Sequence, residues 1–170
     1  MSSSLHTESS ANALSCGATD GLLRHLESYG TCGDLRGFTE AELSAVYAVG
    51  FHHYRQGRYR EAHDIFAFLI KQNHLERSYM LALAGAFQML GQYRSAVHYY
   101  GVALTLDIEE PSPLVAMAEC LISLGMPEPA RTCLEAVLTC RPADSEPDAP
   151  RMRARALIQL LTSSQEGSSP

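Results

Sequence analysis

The stretch "GQYRSAVHYYGVAL", residues 91–104, sets a Tyr two residues after a Gly, an Ala three residues after that, and an aromatic four residues beyond the Ala. Moved back by 34 residues it falls on "GRYREAHDIFAFLI" (57–70), and moved forward by 34 it falls on "GMPEPARTCLEAVL" (125–138). A period in this range is the signature of an array of like units, each too small to bury its own apolar face. With Gly57, Gly91 and Gly125 as anchors, small residues recur seven before (Gly50, Ala84, Ala118) and five after (Ala62, Ala96, Ala130). Large residues recur nine after (Phe66, Tyr100, Leu134), and apolar pairs twelve and thirteen after (Leu69 and Ile70, Ala103 and Leu104, Val137 and Leu138). Apolar residues also stand eleven and eight before each anchor: Val46 and Val49, Met80 and Leu83, Leu114 and Met117. That spacing is helical, and a Gly at the anchor suits the left-handed residue that ends one helix before the next begins.

Each unit therefore reads as helix–turn–helix, with small residues where two helices cross and large ones wedged between them. The length and the small/large pattern resemble the tetratricopeptide repeat. The fold expected is all-α: three tandem repeats in a superhelical solenoid, with a short N-terminal helix and a C-terminal capping helix. "FTEAELSAVYAVG" carries Thr39 and Glu42 at capping-box spacing, which starts the first repeat helix near residue 40. Upstream, "DGLLRHLESYG" gives a short amphipathic helix with Leu22, Leu23 and Leu26 on one side. That stripe needs cover, either from the repeats or from a second chain, because so short a helix is not stable alone. Pro127 and Pro129, and likewise Pro111 and Pro113, fall in first helical turns, where a missing N–H costs nothing. After "RPADSEPDAP", a connector, "RMRARALIQLL" reads as the helix that covers the open end of the stack. The divisions expected are a polar disordered tail at 1–18, an N-terminal helical segment at 19–38, the repeat domain with its capping helix at 39–162, and a second tail at 163–170.

Composition narrows the function classes. The 170 residues carry a net charge of −6, and their 13 Lys and Arg are scattered, so there is no basic face for nucleic acid. The N-terminus lacks a signal-peptide pattern and no stretch reaches membrane-span length, which leads to the expectation of a cytoplasmic protein without direct membrane binding. Five cysteines (16, 32, 120, 133, 140) form no CxxC pair and read as reduced small hydrophobes. His52 and His53 are adjacent and diverge on a helix, while His63 and His98 lie in different repeats without a ligand-spaced partner. No phosphate loop, nucleophile elbow or Cys/His signature is present, and Glu109–Glu110 read as a charged helix start. Neither catalysis, a metal nor a cofactor is expected.

A solenoid offers a groove lined by the first helix of each pair. Residues ten, six and three before each anchor face it: Tyr47, Phe51 and Tyr54, with Arg55 alongside; Leu81, Gly85 and Gln88, with Met89 alongside; Val115, Glu119 and Ile122. A wall so rich in tyrosine and aliphatic side chains is either core beneath a neighbouring helix or a peptide-binding surface. Phe51 and Gly85 stand where chaperone-tail clamps of this repeat class place Asn, so an apolar extended ligand fits better than a carboxylate.

Three runs narrow the resemblance: "YAVGFHHYRQGRYREAHDIFAFL" (47–69), "GQYRSAVHYYGVALTLDIEEP" (91–111) and "AMAECLISLG" (116–125). Across residues of roughly 20–140 the chain resembles the class II chaperones of bacterial type III secretion, the translocator chaperones of the LcrH/SycD type. The resemblance implies a small acidic bacterial cytoplasmic protein whose N-terminal segment joins dimer contacts. Its clients would be the two hydrophobic, pore-forming translocators, held by an extended PxLxxP-like segment in the concave groove and kept from premature insertion. It also implies groove roles for Tyr47, Tyr54 and Tyr59. "GMPEPA" (125–130), where the family has a proline-free helix start, and the Ser-rich N-terminus depart from the pattern. A tetratricopeptide adaptor that binds an already soluble partner in a regulatory complex shares the fold and stays open beside this reading.

Overall fold

The computed structural model describes residues 31–106, 110–140 and 149–166. Among these residues all regular structure is helical, in eight helices: α1 Cys32–Leu35, α2 Glu40–Arg55, α3 Tyr59–Gln72, α4 Arg77–Met89, α5 Tyr93–Leu106, α6 Ser112–Ser123, α7 Pro127–Thr139 and α8 Ala149–Glu166. The expected helix over residues 20–30, with Leu22, Leu23 and Leu26, lies outside the described residues, as does the tail at 1–18.

The three repeats are the pairs α2/α3, α4/α5 and α6/α7, and each helix packs on the one that follows it. The capping box is formed as the sequence requires. Thr39 N–H donates to Glu42 Oε2 (2.9 Å), and Glu42 N–H donates to Thr39 Oγ1 (3.2 Å). The anchors Gly57, Gly91 and Gly125 have φ of 76°, 72° and 71°. At each, the glycine N–H reaches back to the carbonyl three residues earlier and the next N–H to the carbonyl five earlier, as in Gly91 to Gln88 (3.0 Å) and Gln92 to Phe87 (2.9 Å). Gly37 (φ 75°) closes α1 in the same way. It lies outside the 34-residue register, so the repeat alone does not announce it.

The small residues do what their recurrence requires. Gly50 is buried against α3, where an added Cβ would lie 2.6 Å from Phe66 Cε1, and Ala62, Ala84, Ala96, Ala118 and Ala130 are wholly buried. Phe66 and Leu134 are wholly enclosed, and Tyr100 nearly so. The core runs as three neighbouring clusters, centred on Phe66, Tyr100 and Leu134 in turn, which is the nearest-neighbour cohesion of a solenoid. Val49 is an exception, 51% exposed where Leu83 at the matching position is buried. Leu83 is enclosed in the first core cluster, packed with Phe66 and Leu69 of the preceding repeat, whereas among the described residues no repeat precedes α2 to do the same for Val49.

Pro127 and Pro113 sit in the first turns of α7 and α6, where helices accept them. Glu110 reaches across to Arg77 (3.1 Å), so it ties two repeats together besides charging a helix start. Helix α8 packs on both α7 and α6, in the way α4 packs on α3 and α2. It thus takes the place of a fourth first helix, with Ala154 buried where Gly50, Ala84 and Ala118 are buried before it. Helix α8 continues past residue 163, where the second tail was expected to begin, to Glu166, since no helix breaker occurs before Gly167.

Candidate functional site

Helix period decides which side chains of α2 and α4 share the inner wall, since residues three and four apart stack on one face. Tyr47, Phe51 and Tyr54 follow that spacing, and their rings stack in sequence, with centroids 6.4 Å and 6.3 Å apart and interplanar angles of 21° and 13°. Across from them, Leu81, Ala82 and Gly85 of α4 complete a concave cavity of about 280 Å³, floored by Phe66 and Tyr100. Gly85 keeps it open, because a Cβ there would point at the Tyr54 hydroxyl, 3.4 Å away. Phe51 remains 46% exposed at the rim. Tyr59 does not line the cavity; it packs edge-on against Tyr54 (5.3 Å, 68°) and fixes that ring.

Below the cavity the wall turns polar. Tyr100 O–H donates to Gln88 Oε1 (2.8 Å), Gln88 Nε2 donates to Glu119 Oε2 (3.3 Å), and Glu119 Oε1 pairs with Arg153 Nε of α8 (2.5 Å). Burial, then the neighbouring Cys120, Tyr54 and Glu119, raise the Tyr100 pKa far above the ordinary phenol value. Burial also raises Tyr54, with Tyr59 adding to the effect, and raises Tyr47, with Glu76 adding. All three phenols are therefore neutral hydrogen-bonding groups at physiological pH. A second cavity, of about 270 Å³, opens where α6 meets the start of α8, between Val115, Ala116 and Glu119 on one side and Ala149, Pro150 and Arg153 on the other.

Of the residues placed on the wall by sequence, Tyr47, Phe51, Tyr54 and Leu81 converge on the first cavity. Gln88 and Glu119 form the polar step beneath it. Arg55 and Met89 are exposed and line neither cavity, because each stands one residue past the inward position and a helix turns about 100° per residue. Val115, 4% exposed, belongs chiefly to the third core cluster, and Ile122 packs against that same cluster. The cause is α8, which lies over α6 and turns part of the third repeat's wall into core. Tyr100 and Phe66 are the site residues that wall spacing alone misses; their signal was the recurrent large position nine after each anchor. Arg153 had no repeat signal, since it enters from the capping helix. Among the described residues no group of three His, Cys, Asp or Glu is placed to hold a metal ion, and no helix is long and apolar enough to cross a membrane.

Residues 79–109 match the tetratricopeptide repeat family. The chain is 33% identical over 100 residues to the low calcium response locus protein H of Yersinia pestis, an alignment that covers 59% of this chain and 60% of that one. The chain thus spans about three-fifths of the length of that relative. PcrH from Pseudomonas aeruginosa superposes with a TM-score of 0.70 at 32% identity, covering 75% of this chain and 97% of PcrH. A structure of PcrH in complex with the chaperone binding region of PopD gives 0.72 at 30% identity, covering 76% and 97%. With three in-register repeats, an aromatic inner wall and this degree of identity over nearly all of PcrH, the chain belongs to the type III secretion translocator chaperones of the LcrH/SycD/PcrH type.

Proposed function

We propose that this protein is a bacterial cytoplasmic chaperone that holds an extended apolar segment of hydrophobic translocator proteins in its concave groove, and so keeps them soluble and competent for export. The observation that carries the reading is the cavity of about 280 Å³ walled by Tyr47, Phe51 and Tyr54, whose rim ring stays half exposed although it is large and apolar. Such a surface gains from a partner, since burying one apolar anchor contributes about 1.5–3 kcal/mol before the cost of ordering the segment. A few anchors then give binding that is useful and still reversible, as a chaperone that surrenders its client requires. PcrH has been solved with the chaperone binding region of PopD, and that precedent supports the same kind of partner here. In this role the protein uses no cofactor and catalyses no reaction, and it pairs as a homodimer through its N-terminal segment.

Co-expression tests the proposal. A hydrophobic translocator that precipitates when made alone should stay soluble and co-purify with this chain. Tyr54→Glu places an unpaired charge at a surface that the client must desolvate, so the variant should remain helical by circular dichroism while the client precipitates. A translocator that is soluble without the chain, or one retained at wild-type level by Tyr54→Glu, would favour the adaptor reading.

A further inference from the structure

Four side chains from four helices meet at the base of the apolar cavity in a fixed order: Arg153 of α8, Glu119 of α6, Gln88 of α4 and Tyr100 of α5. The charged end decides what every other member can do. A guanidinium only donates and a carboxylate only accepts, so Arg153 takes one oxygen of Glu119 (Nε to Oε1, 2.5 Å) and leaves Oε2 as an acceptor for Gln88. Gln88 must then turn its NH2 toward Glu119 (3.3 Å), which aims its carbonyl at Tyr100. A carbonyl only accepts, so the Tyr100 hydroxyl commits its single proton to Gln88 Oε1 (2.8 Å). What remains on Tyr100 is an oxygen with lone pairs and no proton to give. Burial, then Cys120, Tyr54 and Glu119, raise the Tyr100 pKa, which keeps that proton in place.

The polar side chains that line the cavity are the tyrosines Tyr47, Tyr54 and Tyr100. The hydroxyls of Tyr47 and Tyr54 have no such partner among the described residues and can turn to donate or to accept, whereas that of Tyr100 can only accept. Resting on the groove reading, we propose that Tyr100 is an acceptor-only recognition point in the cavity floor, to which one backbone N–H of the client segment donates, and that Glu119 and Arg153 are positioning residues that impose this polarity from outside the cavity. An extended segment makes no hydrogen bonds within itself, so an N–H stripped of water by apolar walls needs an acceptor there. A client residue that must bring an N–H to one fixed oxygen cannot be proline, and it sets the register of the whole segment. An apolar cavity alone supplies neither constraint.

The test uses the full chain and a synthetic peptide of the chaperone binding region of PopD, in which each backbone amide in turn is replaced by an ester, a change that removes the N–H and adds no bulk. Titration calorimetry should find one ester that weakens binding to the wild-type chain by about threefold to tenfold, as loss of one hydrogen bond does. Tyr100→Phe should weaken the parent peptide by a similar factor and abolish the penalty of that ester alone, the coupling that a double-mutant cycle isolates. Glu119→Gln reads the positioning. Arg153 holds the oxygen of the new amide, whose NH2 donates to Gln88; Gln88 turns over to donate to Tyr100, and the Tyr100 proton is released toward the client. The penalty of the same ester should then vanish, whereas a packing defect would weaken every peptide alike. A scan in which no ester couples to Tyr100→Phe overturns the acceptor, and an unchanged penalty in Glu119→Gln overturns the positioning roles; in either case binding of the parent peptide leaves the groove reading intact. If Tyr100→Phe does not fold, Glu119→Gln decides alone. Failure of the parent peptide to bind overturns the groove reading and the acceptor with it.

Discussion

Adding one methyl group to Gly50, at a helix crossing, or to Gly85, on the inner wall, should move stability in opposite directions. At Gly50 the new Cβ would lie 2.6 Å from Phe66 Cε1 and 2.9 Å from Ile65 Cγ2, against the roughly 3.5–4.0 Å at which carbons rest. Phe66 is wholly buried, so its ring has nowhere to retreat without pushing the α2/α3 crossing apart. Overpacking of this kind costs about 1–3 kcal/mol. Replacing a mid-helix Gly by Ala recovers about 0.5–1 kcal/mol of that by reducing the freedom of the unfolded chain. Gly50→Ala should therefore lose about 1–2 kcal/mol, a fall in Tm of about 3–6 °C for a chain of this size. At Gly85 the nearest atom to the new Cβ is the Tyr54 hydroxyl at 3.4 Å, an ordinary contact at an open wall. Gly85→Ala should keep the helix gain and raise Tm by about 2 °C. Urea unfolding followed by circular dichroism measures both. If Gly50→Ala is as stable as wild type, or if Gly85→Ala is damaged equally, the register that puts one glycine at a helix crossing and the other on the groove is wrong.

Other consequences are equally direct. Gly91→Ala meets no atom within 4 Å, but its φ of 72° charges an L-residue about 1–2 kcal/mol, so the loss should appear in urea unfolding without any change in helix content. Burial, then Glu119, pushes the Cys120 thiol up to about 11, and burial raises Cys133 as well. Both should resist a disulfide reagent at pH 8 in the folded protein and react at once in urea. The raised thiol value carries a sign: the folded state holds the Cys120 proton more tightly, so that contribution to stability should be full below about pH 9 and decline as pH rises through 11. Removing residues 1–30 should turn a dimer into a monomer by light scattering, and an unchanged mass would take the Leu22, Leu23 and Leu26 stripe out of the interface.

The fold was legible because the same constraint was written three times. A helix crossing accepts only Gly or Ala, a left-handed turn strongly prefers Gly, and each recurs at a fixed interval, so Gly57, Ala96 and Phe66 announce their places without any contact being seen. The apolar half of the site followed from the same register, since Tyr47, Phe51, Tyr54 and Leu81 are single-face positions of regular helices. Where the period stops, so does the reading. Arg153 reaches the wall from a helix outside the 34-residue register, and its pairing with Glu119 depends on how α8 settles. That same docking makes Val115 and Ile122 part of the core, a change no inward-facing rule for α6 contains. Arg55 and Met89 were lost for a simpler reason, one residue of helical rotation.

The claim on which the rest depends is that the client lies against the concave wall, and site-specific photocrosslinking reads that position out. A benzophenone side chain placed at Phe51, 46% exposed at the rim of the cavity, should crosslink a co-expressed translocator in high yield. The same group placed at His98, exposed on α5 in the outer layer of second helices, should give little or none. Strong crosslinking from His98 with none from Phe51 would contradict the account and move the client to the convex face.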